Sequence, residues 1–98
     1  MEKNTNLIKT FNYAIDGIIY TLKSQRNMKI HYAIAILVLF LTLFLNLSRI
    51  EIIAVFFSIS LVILSEMFNT AIEKTVDLVT TEYNRLAKIA KDVAAAAV

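Results

Sequence analysis

The spacing of hydrophobic residues along the chain changes twice, and each change marks a predicted element. In residues 1–24 the apolar side chains recur at the three- and four-residue spacing of one helix face, and Lys9, Asp16 and Lys23 fall outside it. Because an apolar run follows directly, we predict an amphipathic helix lying on a bilayer surface. A helix packed on a partner protein is the alternative. The apolar positions of this stripe are Leu7, Phe11, Ile15, Ile18 and Leu22.

Residues 30–47 form a mostly apolar block with no charged residue apart from a possible proton on His31. As a helix this block would be about 27 Å long, close to the roughly 30 Å of a hydrocarbon core, so it is predicted to be the first membrane span. The basic stretch RNMK, residues 26–29, precedes it and indicates the cytoplasmic boundary. Residues 46–51, NLSRIE, are predicted to form a tight connection to the next helix.

The second apolar block continues without proline or glycine into a polar stretch. We therefore predict one helix over residues 50–79, whose first half crosses the membrane and whose second half borders the aqueous face. Residues 80–85 are predicted to be a polar turn, and residues 86–98 the start of a third helix. Only Arg49 among the Lys and Arg residues lies in the 46–51 loop. Counting positive charges therefore places the N-terminus and residues 74–91 in the cytoplasm.

The predicted architecture is a single domain, residues 1–98, of the all-α integral membrane class. It has an amphipathic surface helix, two full transmembrane spans and the beginning of a third. Residues 86–98 would make about 20 Å of helix with a charged start, too short to cross a bilayer. The sequence is therefore expected to be a truncated form, and a natural two-span protein is the alternative.

Composition narrows the possible chemistry. The chain is 58% hydrophobic with a mean hydropathy of +0.66, which suits a membrane protein. It has no cysteine, no proline and one glycine, Gly17, so neither a glycine-rich phosphate loop nor a dinucleotide-binding fold can be built. A single histidine, His31, excludes a multi-histidine metal site. A net charge of +2 gives no argument for nucleic-acid binding.

Four polar residues of the long predicted helix, Glu66, Asn69, Glu73 and Asp77, are spaced three, four and four apart. This spacing puts them on one face, within an arc of about 80°. Ionisable residues beside a membrane span usually mark function, and Mg²⁺ prefers such oxygen ligands together with substrate phosphates. Asp77 could equally belong to a solvated face, and Lys74 could pair with nearby acids. Glu66 directly follows an apolar run, where a carboxylate needs a proton or a partner.

A second polar group lies in the last predicted helix. Lys88 and Lys91 are three residues apart, and Asp92 follows. A lysine can bind ATP phosphates, and an aspartate can hold a ribose hydroxyl or a metal-bound water. A basic start to a membrane helix is also a common interfacial anchor.

Residues 66–98 read EMFNTAIEKTVDLVTTEYNRLAKIAKDVAAAAV. This string closely resembles the prokaryotic diacylglycerol kinase family, whose signature E-x-x-N-[ST]-A-I-E-x-x-V-D is followed by E-Y and by A-K-D with small residues. In the N-terminal part Tyr13, Gly17 and residues 26–29 also fit, the last as in the Gram-positive branch. The resemblance covers nearly all of the chain.

The resemblance implies a homotrimeric, multi-pass enzyme of the bacterial inner membrane with a cytoplasmic N-terminus. Such enzymes use Mg²⁺ to transfer the γ-phosphate of ATP to a lipid alcohol of the bilayer. Residues 26–29 favour undecaprenol over diacylglycerol as that alcohol. By position, Glu66 would be the general base and Glu73 would hold Mg²⁺. The nucleotide would be bound by Tyr13, Lys29, Asn69, Glu73, Asp77, Lys91 and Asp92.

Two features depart from the family pattern. Gln25 stands where the family usually has a glutamate as a second metal ligand, and a neutral amide binds Mg²⁺ less well. The family also continues for another full span beyond the position of Val98. Two other interpretations therefore stay open: a non-enzymatic small membrane protein, such as an oligomeric pore or an accessory subunit, and an inactive truncated paralogue.

Overall fold

The computed structural model describes residues 6–98, which fold into four α-helices and contain no strand. The predicted all-helical class is confirmed. Residues 1–5, where the first helix was predicted to start, lie outside the described residues. The helices are α1 (Leu7–Ser24), α2 (Arg26–Thr42), α3 (Arg49–Val79) and α4 (Arg85–Ala97).

Helix α1 begins at a side-chain cap, because Asn6 Oδ1 accepts a hydrogen bond of 2.9 Å from the backbone N–H of Lys9. It ends at Ser24, and Gln25 alone separates it from α2. The apolar stripe of α1 is exposed, including Leu7 and Phe11, whereas Thr21 is buried. The stripe is therefore available to a bilayer or a partner, and its place on a membrane surface stays a prediction.

Helix α2 is shifted toward the N-terminus relative to the predicted first span, because it begins at Arg26 rather than at residue 30 and ends at Thr42 rather than at residue 47. The N–H groups of Leu43 and Phe44 then bond to carbonyls three residues back, and residues 43–48 connect α2 to α3. The prediction of a helix to residue 47 and of a connection over residues 46–51 is wrong. The apolar run continues through Leu47, but the chain must reverse direction before the next helix starts, and hydropathy carries no information on that reversal.

Helix α3 begins with a capping box. Ser48 Oγ accepts from the N–H of Glu51 at 3.2 Å, and Glu51 Oε1 accepts from the N–H of Ser48 at 3.3 Å. Such a cap stabilises a helix by about 1 kcal/mol and fixes its first turn at Arg49. With 31 residues, α3 is the one described helix that is long and apolar enough to cross a membrane by length and composition.

Burial is inverted relative to a water-soluble domain. Large apolar side chains such as Phe44 and Phe57 are exposed, whereas Glu66 and Asn69 are buried. In soluble proteins acidic side chains are almost never fully buried unless they are paired. An apolar exterior around a polar interior is the arrangement expected of helices in lipid.

Helix α3 is the scaffold, because it contacts each of the other three helices and packs most extensively on α4. Its Lys74 forms no ion pair with an acidic side chain of residues 6–98. Instead, Lys74 Nζ lies 5.9 Å from the ring centroid of Tyr20 on α1. This cation–π contact links α1 to α3 at the level of the polar residues.

Candidate active site

The polar face of α3 is buried at one end and exposed at the other. Glu66 is 2% exposed and Asn69 is 7% exposed. Glu73 is half-buried, and the side chain of Asp77 is 45% exposed. The four residues share a face as their spacing predicts, but their surroundings differ. The Glu66 end is suited to chemistry that excludes water, and the Asp77 end to binding a soluble molecule.

The buried end opens on a cleft of about 250 Å³ between α2, α3 and α4. Glu66 lies in this cleft, and its nearest basic partner is His31 of α2, with 3.6 Å between His31 Nε2 and Glu66 Oε2. His31 is 24% exposed, so it connects the buried carboxylate to the outside. The cleft is lined by Asn27, Ile30, His31, Glu66, Asn69, Ala95 and Val98.

Asn69 lies between the buried acid and the half-buried one. Its Nδ2 donates a hydrogen bond of 3.0 Å to Glu73 Oε1. Since only the amide nitrogen can donate to a carboxylate, Asn69 Oδ1 must face the other way. This oxygen is buried and has no hydrogen-bond partner in the described part of the chain. An unpaired buried acceptor costs about 1–3 kcal/mol, so Oδ1 is a ready partner for a hydroxyl hydrogen or a cation.

At the exposed end, Lys91 joins α4 to α3. Its Nζ donates a hydrogen bond of 2.6 Å to Asp77 Oδ1. Solvent screens this half-exposed ion pair, so it adds little stability, but it holds the lysine beside the polar face. On α4 itself, Lys88 pairs with Asp92 at 2.5 Å, one turn apart.

A second pocket of about 230 Å³ lies where the α3–α4 loop meets α4. Lys88, Lys91 and Asp92 line it together with loop residues 80–84. Asn84 Oδ1 caps α4 by accepting from the N–H groups of Leu86 and Ala87 at 2.9 and 3.3 Å. Lys91 therefore borders this pocket and touches the α3 face at the same time. Phosphate oxygens could replace the carboxylates that both lysines now bind.

Three predicted site residues are not joined to the α3 face. Tyr13 and Lys29 are exposed, and Gln25 is half-buried at the junction of α1 and α2. Within residues 6–98, no hydrogen bond or ion pair links these side chains to Glu66, Asn69, Glu73 or Asp77. Their roles in binding nucleotide or metal stay predictions.

The oxygen donors of the α3 face are of the kind that Mg²⁺ binds. No group of three or more His, Cys, Asp or Glu side chains that could hold a metal occurs in the described residues. Mg²⁺ usually needs only one or two protein carboxylates, because substrate phosphates and water supply the other oxygens. The half-buried Glu73 carboxylate is an oxygen donor of this kind, whereas Asn69 Oδ1 faces away from it. The residues present therefore fit Mg²⁺ that arrives with a nucleotide.

Sequence reasoning missed two residues of the cleft, Asn27 and His31. One signal was available for His31, because an ionisable side chain at the start of an apolar helix needs a partner. The missing information was the rotation of α2 about its axis, which decides whether His31 turns toward Glu66 or toward lipid.

Fold and site together define the class of this protein. Its described residues form a small helical protein with one helix long enough to cross a membrane and an interior cluster of carboxylate, imidazole and amide groups. The family model of prokaryotic diacylglycerol kinase matches residues 12–98, which include every residue of this cluster. The chain belongs to the prokaryotic diacylglycerol kinase family, as its motifs indicated.

Three curated relatives illustrate the similarity. A diacylglycerol kinase of Synechocystis sp. is 42% identical over 94 residues, which are 95% of this chain and 54% of the relative. An undecaprenol kinase of Bacillus subtilis is 44% identical over 90 residues, or 92% of this chain and 73% of the relative. A diacylglycerol kinase of Haemophilus influenzae is 34% identical over 94 residues, or 96% of this chain and 80% of the relative. The chain thus spans about half the length of the Synechocystis protein.

Proposed function

We propose that this chain is an ATP-dependent lipid kinase that phosphorylates a membrane lipid alcohol, with undecaprenol preferred to diacylglycerol. The observation that carries the proposal is Glu66, a carboxylate 2% exposed that faces a cleft between three helices. Burying an ionisable group is costly, and such a residue beside a membrane span usually marks function. Membership in a family named for diacylglycerol kinase favours this function over a pore, an accessory subunit or an inactive paralogue.

In this proposal the alcohol head group enters the cleft and Glu66 acts as general base. The lipid hydroxyl donates its proton to the carboxylate as its oxygen attacks the γ-phosphorus. Asn69 Oδ1, which accepts no hydrogen bond from residues 6–98, would orient the alcohol or the nucleotide. The cleft has apolar walls at Ile30, Ala95 and Val98. These walls suit the hydrocarbon part of the alcohol next to its hydroxyl group.

The nucleotide occupies the exposed end of the site. Lys91 neutralises phosphate charge, and Asp77 and Asp92 bind or orient the rest of the nucleotide. Glu73 holds Mg²⁺, with Gln25 as a weaker second candidate. When bound, Mg²⁺ supplies positive charge that offsets the negative phosphate oxygens. Tyr13 and Lys29 extend the binding surface from α1 and α2.

We also propose a membrane topology for the chain. Helices α2 and α3 cross the bacterial inner membrane, α1 lies on its cytoplasmic surface, and the N-terminus is cytoplasmic. The exposed apolar side chains of α1 and α3 and the single basic residue near the α2–α3 connection, Arg49, support this topology. A homotrimer would cover part of the apolar surface of α3, as the family resemblance implies.

The decisive experiment is radiolabelled phosphate transfer from Mg²⁺-ATP in detergent, with undecaprenol and diacylglycerol offered separately. We expect phosphorylated undecaprenol as the main product. A relative named diacylglycerol kinase and one named undecaprenol kinase are 42% and 44% identical to this chain. The two lipids must therefore be compared directly. Folded protein that labels neither lipid would contradict the kinase proposal, and label in diacylglycerol alone would contradict the preference.

Replacing Gln25 with glutamate is expected to lower the Mg²⁺ concentration needed for half-maximal rate. Mg²⁺ is a hard cation that prefers anionic oxygen, so a carboxylate near Glu73 would attract it more strongly than an amide. Without the metal the two acids would repel each other, but two positive charges offset both. The measurement is the Mg²⁺ dependence of the kinase rate for Gln25→Glu and for Gln25→Ala. Identical curves would place Gln25 outside the metal site.

A further inference from the structure

The proposed base has almost no direct contact with solvent. Glu66 is 2% exposed, and it must lose the proton taken from each alcohol before the next turnover. We propose that His31 accepts this proton and passes it to water, an inference that rests on the proposed kinase activity. No sequence motif assigns a role to His31. In the structure it lies between Glu66 and the outside of the cleft.

The complete step balances without a further reactant. A bond forms between the alcohol oxygen and the γ-phosphorus, and the bond from that phosphorus to the bridging oxygen of ADP breaks. ADP leaves with the electron pair, and the hydroxyl proton moves to a Glu66 oxygen. That proton then moves to His31 Nε2, and the imidazolium releases a proton to water. The carboxylate and the neutral imidazole are thereby restored.

Among the described residues that line the cleft, no other side chain can take this role. Among residues 6–98, His31 is the basic side chain with a nitrogen within 4 Å of the Glu66 carboxylate. The other polar side chains that line the cleft are Asn27 on α2 and Asn69 on α3. Both are amides, which do not take up or release protons near neutral pH. On the α4 side of the cleft, the side chains of Ala95 and of Val98, which follows α4, are apolar. Glu73 lies beyond the Asn69 amide that binds it.

The geometry suits a relay. The 3.6 Å separation exceeds a hydrogen bond by about half an ångström, and catalytic pairs of this kind shorten when substrate binds. Glu66 is buried while His31 is 24% exposed, so the pair runs from the interior to the surface. A histidine is the side chain best suited to take up and release protons near neutral pH.

The test is chemical rescue of a His31→Ala variant in the full chain, assayed with undecaprenol and Mg²⁺-ATP. Removing the imidazole is expected to lower kcat by about 10²-fold and to leave the KM of both substrates within a factor of about two. Because His31 lines an open cleft, added imidazole can reach the vacated space. It should restore the rate with saturation, whereas pyrazole, similar in size and much less basic, should not.

Controls separate this role from a structural one. Tyr32→Ala, on the next residue of α2, should show no response to imidazole, and His31→Ala in a Glu66→Gln background should cause no further loss of rate. A His31→Ala variant as fast as wild type, or one that pyrazole rescues equally well, would overturn the relay. An inactive wild-type protein would instead overturn the kinase proposal and the relay with it.

Discussion

Replacing Glu66 with glutamine is expected to lower kcat by about 10²–10⁴-fold, the range of a general base, while ATP binding stays largely intact. Glutamine has nearly the same shape as glutamate and cannot accept the hydroxyl proton. The carboxylate lies at the buried end of the α3 face, and Asn69 and Glu73 separate it from the exposed end. Single-turnover phosphate transfer measures the chemical step, and equilibrium binding of labelled ATP measures the affinity.

A matched control is available on the same helix. Glu51→Gln removes a carboxylate of α3 at the opposite end, in the capping box, where glutamine can make the same hydrogen bond. This variant should keep the wild-type rate. Turnover by Glu66→Gln within a factor of about ten of wild type would show that another group takes the proton.

Replacing Glu73 with glutamine has a different expected effect. The Oε1 atom of glutamine can still accept the hydrogen bond from Asn69 Nδ2, so the geometry is kept while the negative charge is lost. We expect the affinity for ATP in the presence of Mg²⁺ to fall by about 10–100-fold, a range seen even for residues that only support metal ligands. ATP affinity measured with a chelator in place of Mg²⁺ should hardly change.

The two substitutions test whether the α3 face is divided into a base and a metal-binding end. Loss of Mg²⁺-dependent binding in Glu73→Gln alone, and loss of turnover in Glu66→Gln with intact binding, would support the division. Equal loss of nucleotide affinity in both variants would contradict it. The difference in burial between the two acids is the physical reason to expect separate roles.

The inverted burial of this chain changes which contacts hold its helices together. In lipid the hydrophobic effect does not drive helices together, so packing and polar contacts must. The contacts of Lys91 with Asp77 and of His31 with Glu66 join α4 and α2 to α3. The polar residues that are proposed to carry the chemistry thus also help to position the helices around it.

The sequence by itself determined the elements whose signal is local. The spacing of Glu66, Asn69, Glu73 and Asp77 placed them on one face, because the helical period needs no tertiary information. The long helix was predicted over residues 50–79, and α3 runs from Arg49 to Val79, because no proline or glycine interrupts it. Family membership was also evident from the residue 66–98 motif, and the family comparison agrees.

Only the tertiary structure decided which side chains meet across helices. The end of α2 at Thr42, the approach of His31 to Glu66 and the pairing of Lys91 with Asp77 depend on where the chain reverses and how each helix is rotated. Hydropathy measures how strongly residues prefer lipid. It contains no information on where the chain reverses or how a helix is rotated. A lone histidine and a lone lysine have no partner in a linear sequence, and each acquires one only when a neighbouring helix packs against its own.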